Sequence, residues 1–361
     1  MCLAPRGAVS SRIKVLIVDD SPAMRGLLIK ILGKDPEIEI VGAAVDPFDA
    51  REKIKALNPD VLTLDVEMPR MDGITFLKNL MRLRPMPVVM VSTLTERGAD
   101  VTIAALESGA VDFFTKPKVD HVERLTEEAD VLRAKVKAAA RANLARFTSR
   151  LTPPPVAPGE KQVSTTPSER LIVLGSSMGG TDAVNEVLRR LPADAPATVL
   201  TQHIPEGFTA RWAQRMDAVC RVRVVEAQDG APILTGHAYV APGGRQFRVV
   251  KRGRVFTCQV ADEPPVNRHR PSVEVLFDSA REAAGTLAVA AILTGMGADG
   301  AHALKRLRDA GVFTIAQDEA TSVVWGMPGE AVKLDAACEV LPLERIAERL
   351  LRASQVREKA A

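Results

Sequence analysis

The sequence predicts two doubly wound α/β domains, each built on a mainly parallel sheet and joined by a linker. Three observations carry this. Short apolar runs alternate with helical patterns in both halves of the chain, the rhythm that parallel βα units produce. In each half the chemically distinctive residues stand where those runs end, at the edge where open α/β sheets place their sites. Between the halves, 152–168 (TPPPVAPGEKQVSTTPS) has little to bury and reads as a semi-rigid linker.

Composition narrows the function classes. The 361 residues have room for more than one core, with 46% hydrophobic and 26% charged residues typical of globular protein. A net charge of +3 does not by itself imply nucleic acid. The four cysteines (Cys2, Cys220, Cys258, Cys338) lie too far apart for a zinc site or a disulfide framework, which fits a reducing cytosol. No apolar run approaches the roughly 18 residues of a membrane span, and the N-terminus lacks a signal-peptide core. A cytoplasmic protein, not embedded in the membrane, is expected.

In the first half, Ile13–Val18 reads as a buried strand ending in Asp19-Asp20, and Ser21-Pro22 then opens a helix with a cap and a first-turn proline. Further strands are expected at Glu39–Val45, Val61–Val66, Val88–Ser92 and Asp112–Lys116, with helices such as Ile74–Leu83 and Val101–Leu106 between them. Their ends carry Asp19, Asp20, Asp65, Ser92 and Lys116. Three carboxylates gathered at one edge repel each other unless a divalent cation sits among them, and hard oxygen ligands suit Mg²⁺, which accepts a phosphoryl oxygen as co-ligand. Aspartates also end strands as caps and turn residues, but five suitable residues at the ends of four strands exceed that explanation.

This segment resembles a response-regulator receiver domain, over about residues 12–125. The resemblance rests on the DD at 19–20, Asp65 in TLDVEMPRMDG, the VS of VMVST and the KP of FFTKP. It implies a flavodoxin-like fold and phosphorylation of Asp65 by a histidine kinase, with Mg²⁺ held by Asp19, Asp20 and Asp65. Ser92 and Lys116 would bind the phosphoryl group, and Phe113 stands at the family's aromatic switch position.

From His121 to Phe147 a 3–4 apolar spacing predicts a long amphipathic helix, followed by the Pro/Ser/Thr-rich stretch, so 126–168 is read as linker. Its basic residues (Arg133, Lys135, Lys137, Arg141, Arg146, Arg150) could meet an acidic partner or nucleic acid, or form a solvated face, and the solvated face is the better reading.

The second domain, 169–355, opens on LIVLGSSMGGT. Four apolar residues run into a glycine turn that reads G-x-S-x-G from Gly175 to Gly179, the spacing of a nucleophile elbow with Ser177 exposed and Ser176 a small spacer. A phosphate-binding glycine turn would read G-x-G-x-x-G, and GSSMGG lacks its middle glycine. Strands are expected at Leu171–Leu174, Ala197–Gln202, Arg223–Glu226, Leu287–Leu293, Val312–Ala316 and Cys338–Leu341. Helices are expected at Asp182–Leu191, Phe208–Val219, Val273–Ala284, Ala301–Ala310, Glu330–Ala336 and Leu343–Leu351. Between Gly236 and Val260 the alternating pattern predicts an antiparallel hairpin edge.

A serine nucleophile needs a base and a group to orient that base. His203 ends the strand Ala197–Gln202, at the same sheet edge as Ser177; His269, on the loop NRHRPS, competes with it. His121, His237 and His302 fit linker, surface or capping roles. Asp299, just past the most apolar strand in LTGMGADG, is the carboxylate, and its glycine-rich loop could expose N–H groups to an oxyanion. Its competing role is to cap the helix from Ala301.

This half resembles the catalytic domain of the chemotaxis protein-glutamate methylesterases, which are also glutamine deamidases. The resemblance covers about 170–350 and rests on GSSMGGTDAV, TQHIPEGFTARWAQR, YVAPGG, EPPVNRHRPSVEVLF, LTGMGADGA and QDEATSVVWGMPGEAV. It implies a Rossmann-like hydrolytic domain with the triad Ser177, His203 and Asp299, and oxyanion-hole N–H groups at Met296 and Met178. It further implies hydrolysis of glutamate methyl esters on methyl-accepting chemoreceptors, no cofactor for that step, and a receiver that covers the cleft until a chemotaxis-type kinase phosphorylates it. No nucleic-acid partner is expected, because 169–361 shows no helix-turn-helix unit. A non-catalytic scaffold driven by Asp65 is the other reading. Family members usually carry threonine where this chain has Met178. A lost oxyanion-hole donor can be worth roughly 3–4 kcal/mol, so reduced deamidation in particular is expected.

Overall fold

The computed structural model describes residues 12–92, 96–116, 122–144 and 164–355. The described residues divide into two compact units, one formed by 12–92, 108–116 and 122–142, the other by 96–107, 143–144 and 164–355.

The first sheet comprises β1 (Ile13–Val18), β2 (Ile38–Ala44), β3 (Val61–Asp65), β4 (Val88–Ser92) and β5 (Asp112–Thr115), all parallel in the order β2-β1-β3-β4-β5. The helices along this stretch of chain are α1 (Pro22–Leu32), α2 (Pro47–Leu57), α3 (Gly73–Leu83), α4 (Glu96–Glu107), which groups with the second unit, and α5 (Val122–Ala140). Helix starts follow local chemistry: Ser21 accepts from the Met24 N–H, Asp46 from those of Phe48 and Asp49, and Asp72 from that of Thr75. The strand order reverses between β1 and β3, the switch point where open sheets bind ligands. There Val18 pairs with Leu64, which sets Asp19 beside Asp65.

Helix α5 ends at Ala140, short of the expected Phe147, and residues 145–163, with most of the Pro/Ser/Thr-rich stretch, lie outside those described. Its basic residues do not form a solvated face. Lys135 pairs with Asp112 at 2.6 Å, Lys137 with Asp35 and Glu37 at 2.9 Å each, Arg141 with Glu37 at 3.2 Å, and Arg133 with Asp130. These charges are spent within the first unit. Arg146, Arg150 and His121 lie outside the described residues.

The second unit alternates β6 (Leu171–Ser176), α6 (Gly180–Arg189), β7 (Ala197–Gln202), α7 (Thr209–Val219), β8 (Arg223–Glu226) and β9 (His237–Val240). There follow β10 (Gln246–Arg252), β11 (Val255–Ala261), α8 (Val273–Ala284), β12 (Ala288–Ile292), α9 (Ala301–Asp309), β13 (Phe313–Gln317), α10 (Met327–Lys333), β14 (Glu339–Leu341) and α11 (Leu343–Gln355). Seven strands pair in parallel in the order β14-β13-β12-β6-β7-β9-β8. Strand β6 is central and fully buried, as a continuous apolar run in a helix-covered sheet should be. The antiparallel pair β10-β11 forms its own two-stranded sheet and is not an edge of the large one, whereas β9 inserts in parallel between β7 and β8. Its inner residues Phe247, Val249, Phe256 and Cys258 join the core of α8, each buried Phe contributing about 1.5–3 kcal/mol.

Candidate active site

Strand β6 runs two residues further than its apolar run, because Gly175 and Ser176 still pair with Ile292 and Gln202. Ser177 is therefore the first residue beyond the ladder. The chain then reverses through Gly179, at φ +73°, where a Cβ would come within 2.5 Å of Val323 Cβ. Gly180 opens α6 with room only for hydrogen, since a Cβ there would lie 2.1 Å from Gln202 Oε1. That glutamine grips the elbow. Ser176 Oγ donates to Gln202 Oε1 at 2.5 Å, and Gln202 Nε2 donates to the Ser177 carbonyl at 2.7 Å. Ser176 is thus a buried anchor, more than a spacer.

His203 follows β7 as Ser177 follows β6, and the two strands pair in register up to Ser176 and Gln202. Adjacent strands lie about 4.8 Å apart, so the elbow and the imidazole share one sheet edge. His203 Nε2 meets Asp299 Oδ2 at 2.8 Å, while Nδ1 is buried and has no hydrogen-bond partner. The ring is thus held by one nitrogen and open at the other.

Asp299 is 3% exposed and does not cap the helix that follows it, whose cap position is Gly300 at φ +86° with no side-chain bond. It serves the N-terminus of α8 instead. Oδ2 also accepts from the Val273 N–H at 2.7 Å, and Oδ1 accepts from Asn267 Nδ2 and Ser272 Oγ at 2.8 Å each and from the Glu274 N–H at 3.4 Å. Burial alone would raise its pKa, but the bond and charge of His203, with bonds from Asn267 and Ser272, lower it to about 2. This carboxylate stays ionised.

Beside Ser177 on the other flank, its N–H donates to the Thr294 carbonyl at 3.0 Å, and the Thr294 hydroxyl donates to the Met178 carbonyl at 2.9 Å. Among the described residues neither the Met178 nor the Met296 N–H finds an acceptor. Met178 is 2% exposed, so its side chain is packed inside the domain.

Sequence reasoning singled out neither Asn267 nor Ser272, and saw His269 only as a rival base. All three stand in NRHRPS, immediately before an apolar helical pattern, where a helix start leaves N–H groups in need of acceptors. The His269 ring stacks on that of His203, with centroids 3.7 Å apart. His203, His269 and Asp299 offer ligand atoms within 4.8 Å of one another. Parallel rings hold their lone pairs in separate planes, however, so an ion in line with one imidazole lies well off the other. The cluster suits proton transfer, not a metal. His237 opens β9, buried and bonded to the Thr235 carbonyl, and His302 is exposed in α9.

The first unit gathers its own set. Asp19 and Asp65 are buried, Asp20 is exposed, and the three offer carboxylate oxygens within 4.8 Å of one another. Lys116 Nζ lies 2.7 Å from Asp65 Oδ2 and 3.2 Å from Asp19 Oδ2, an oxygen that is buried and accepts no hydrogen bond. Burial pushes Asp65 up to about 6 against the hydrogen bond from Lys116, and the charge of Asp19 adds to the rise. Burial opposes the charge on Lys116, but its bond to Asp65 and the two carboxylate charges outweigh that and raise its pKa. Ser92 is buried at the end of β4, and its carbonyl accepts from the Lys116 N–H at 2.7 Å. Phe113 is buried in β5 with Lys135 Nζ 5.5 Å from its ring centroid.

Comparison with known proteins bears on both units. A family model described as CheB methylesterase matches residues 172–350, and one described as response regulator receiver domain matches 15–129. A protein-glutamate methylesterase/protein-glutamine glutaminase 1 of Xanthomonas campestris pv. campestris is 54% identical, covering 94% of this chain and 96% of its own. The protein of the same name from Hahella chejuensis is 55% identical over the same shares. Among solved structures, the catalytic domain of Thermotoga maritima CheB methylesterase aligns with 51% of this chain and 98% of its own, at 34% identity and a TM-score of 0.50.

Proposed function

This chain belongs to the CheB methylesterase family, and we propose on that premise that Ser177, His203 and Asp299 carry its hydrolysis. The protein is a protein-glutamate methylesterase/protein-glutamine glutaminase governed by a receiver domain. The observation that carries the residue assignment is the half-satisfied His203 ring: Nε2 is committed to an ionised Asp299, and Nδ1 is the open, buried atom on the strand end next to Ser177.

The chemistry follows from that ring. With Nε2–H donated to Asp299, Nδ1 carries the lone pair and takes the proton of Ser177 as its Oγ attacks the γ-ester carbonyl. Asp299 fixes the tautomer and stabilises the imidazolium. The N–H groups of Met178 and Met296 receive the oxyanion, as preorganised donors that need no reorientation. His203 returns the proton to departing methanol, and water hydrolyses the acyl-enzyme by the same route to the glutamate. A glutamine side chain follows the same path with ammonia leaving.

In the receiver, Asp19, Asp20 and Asp65 fit a divalent cation. Hard oxygen donors converge there, and the two buried carboxylates, Asp19 and Asp65, share only the Lys116 ammonium, which leaves negative charge that an ion would neutralise. Bound Mg²⁺ would neutralise charge on a phosphoryl group carried by Asp65, while Lys116 and Ser92 hold its remaining oxygens and Phe113 reports occupancy of the site. The domain limits 12–125, 126–168 and 169–355, a chemotaxis-type kinase, chemoreceptor substrates and a cytoplasmic location complete this reading. Among the described residues no helix is long and apolar enough to cross a membrane.

The test is methanol release from methylated receptor membranes, with and without a small phosphodonor, for wild type, Ser177→Ala and Asp65→Asn. Wild type should exceed Ser177→Ala, and only wild type and not Asp65→Asn should respond to the phosphodonor. Equal release by wild type and Ser177→Ala ends the esterase assignment; a normal response by Asp65→Asn ends the phosphorylation assignment.

A further inference from the structure

A Ser-His-Asp triad does not require a second imidazole, yet the His269 ring lies on the His203 ring at 3.7 Å, with planes 9° from parallel. We propose that His269 is a positioning residue: its ring is the plate that keeps the His203 imidazole in the plane where Nε2 meets Asp299 and Nδ1 is left unpaired to take the proton of Ser177. This rests on the triad reading above and deepens it.

The loop that carries His269 is built to hold a ring in place. Val266 and His269 exchange both backbone hydrogen bonds, at 3.0 and 2.9 Å, closing a four-residue turn. Its central residues Asn267 and Arg268 have φ of +52° and +66°, the signature of a type I′ turn. Asparagine is at home there. Arginine is not, since its side chain crowds the backbone there, so the surroundings must over-determine the turn. They do. Fully buried Gln246 donates to the His269 carbonyl at 3.1 Å and accepts from the Ser272 N–H at 3.0 Å.

The same turn grips the other partner. Asn267 Nδ2 donates to Asp299 Oδ1 at 2.8 Å, so one short segment contacts Asp299 through residue 267 and His203 through residue 269. The division of labour is geometric. The hydrogen bond to Asp299 lies in the imidazole plane and fixes one nitrogen, but it leaves the ring free to rock about that bond. A parallel ring in van der Waals contact removes that freedom and offers a π face to the cation formed when His203 takes the proton. The stacked ring presents its face to His203, so it acts through His203 and does not itself exchange the proton.

Three variants of the full chain separate a flat plate from volume and from ring chemistry: His269→Phe, His269→Leu and His269→Ala, assayed for kcat and KM of receptor methyl-ester hydrolysis beside Ser177→Ala. Aromatic pairing is worth about 0.5–1.5 kcal/mol, up to roughly tenfold in rate. Leucine and alanine should therefore lower kcat by about that factor at unchanged KM, and phenylalanine should restore it to within about twofold. Wild-type kcat in both His269→Leu and His269→Ala overturns the proposal, as does a His269→Phe enzyme no better than His269→Leu. Thermal unfolding checks each chain, and if alanine fails to fold, the Phe–Leu comparison decides. Full activity in Ser177→Ala would sink the triad reading itself; an inactive Ser177→Ala beside indifferent His269 variants sinks the plate alone.

Discussion

Replacing Asp299 by asparagine should disable the enzyme through the histidine tautomer. Asp299 Oδ1 meets three donors, from Asn267, Ser272 and Glu274, whereas Oδ2 meets the Val273 N–H and His203. An amide placed there turns its oxygen to the richer donor side and its NH₂ to the other. His203 Nε2 must then accept, which moves the ring proton to Nδ1, the atom that should receive the proton of Ser177. A wrong tautomer costs on the order of 10⁴-fold in kcat. The same change has a stability signature. Asp299 ionises at about 2 in the folded chain, against 3.8 unperturbed. A depressed carboxylate contributes stability above its unfolded pKa and loses it as pH falls through the folded one. About 2 kcal/mol should therefore disappear between about pH 4 and pH 2 in wild type, and this component should be missing from the variant. Methanol release gives kcat, and denaturant unfolding across that pH range gives the second quantity. A variant within tenfold of wild-type kcat, or parallel loss of stability by both proteins below pH 4, refutes the reasoning.

Further outcomes follow from the same contacts. Gln202→Ala leaves Ser176 Oγ buried without its acceptor and should cost about 1–3 kcal/mol in denaturant unfolding, with a fall in kcat because the elbow loses its grip on the Ser177 carbonyl. Lys116→Ala leaves Asp19 and Asp65 facing each other without their cation and should destabilise the receiver by about 3–5 kcal/mol, read from its thermal transition in the full chain. Mg²⁺ should raise that transition in wild type and raise it less in Asp20→Asn; an identical rise in both would remove Asp20 from the site. Met178→Thr exchanges a buried methionine for a smaller polar side chain and should lower stability by about 1–3 kcal/mol. The ratio of glutaminase to esterase rates should stay within about twofold of wild type, because the side chain at 178 is buried and the substitution leaves its N–H in place.

The fold was legible wherever local pattern suffices. Continuous apolar runs such as Ile13–Val18 and Leu171–Leu174 announce strands buried on both faces, and chemistry at their ends announces the sheet edge. What sequence left open depends on long-range docking. The period-two pattern over β10 and β11 identifies a hairpin but cannot say whether it joins the large sheet or stands alone. The basic residues of α5 look like a solvated or partner-binding face because Asp35, Glu37 and Asp112, which absorb them, arrive from the turn before β2 and the start of β5, elsewhere in the chain. Asp299 reads equally as a cap for the helix it precedes. Its actual service to α8 depends on residues 272–274, which only the tertiary fold brings near.

The sheet order explains why the triad needs that helix. Ser177 stands at the end of β6, His203 at the end of β7 on one side, and Asp299 follows β12 on the other. An aspartate that stayed at its own strand end would lie two strand spacings from the histidine, about 10 Å, beyond the reach of a carboxylate. The loop from Leu293 to Gly300 must therefore carry Asp299 across the end of β6 while still leaving Ser177 accessible. Helix α8 makes that crossing stable, because its unpaired N–H groups hold the carboxylate where it would otherwise be buried without donors. The helix in turn sits so close to β6 that a Cβ at Gly175 would lie 2.2 Å from Val273 Cγ1. Gly175 thus belongs to the catalytic arrangement for packing reasons. Any side chain there lifts the α8 N-terminus, loosens Asp299 and frees the His203 ring. Gly175→Ala should accordingly lose activity with Ser177, His203 and Asp299 all in place, and a fully active Gly175→Ala enzyme would show that Asp299 is held by its loop alone.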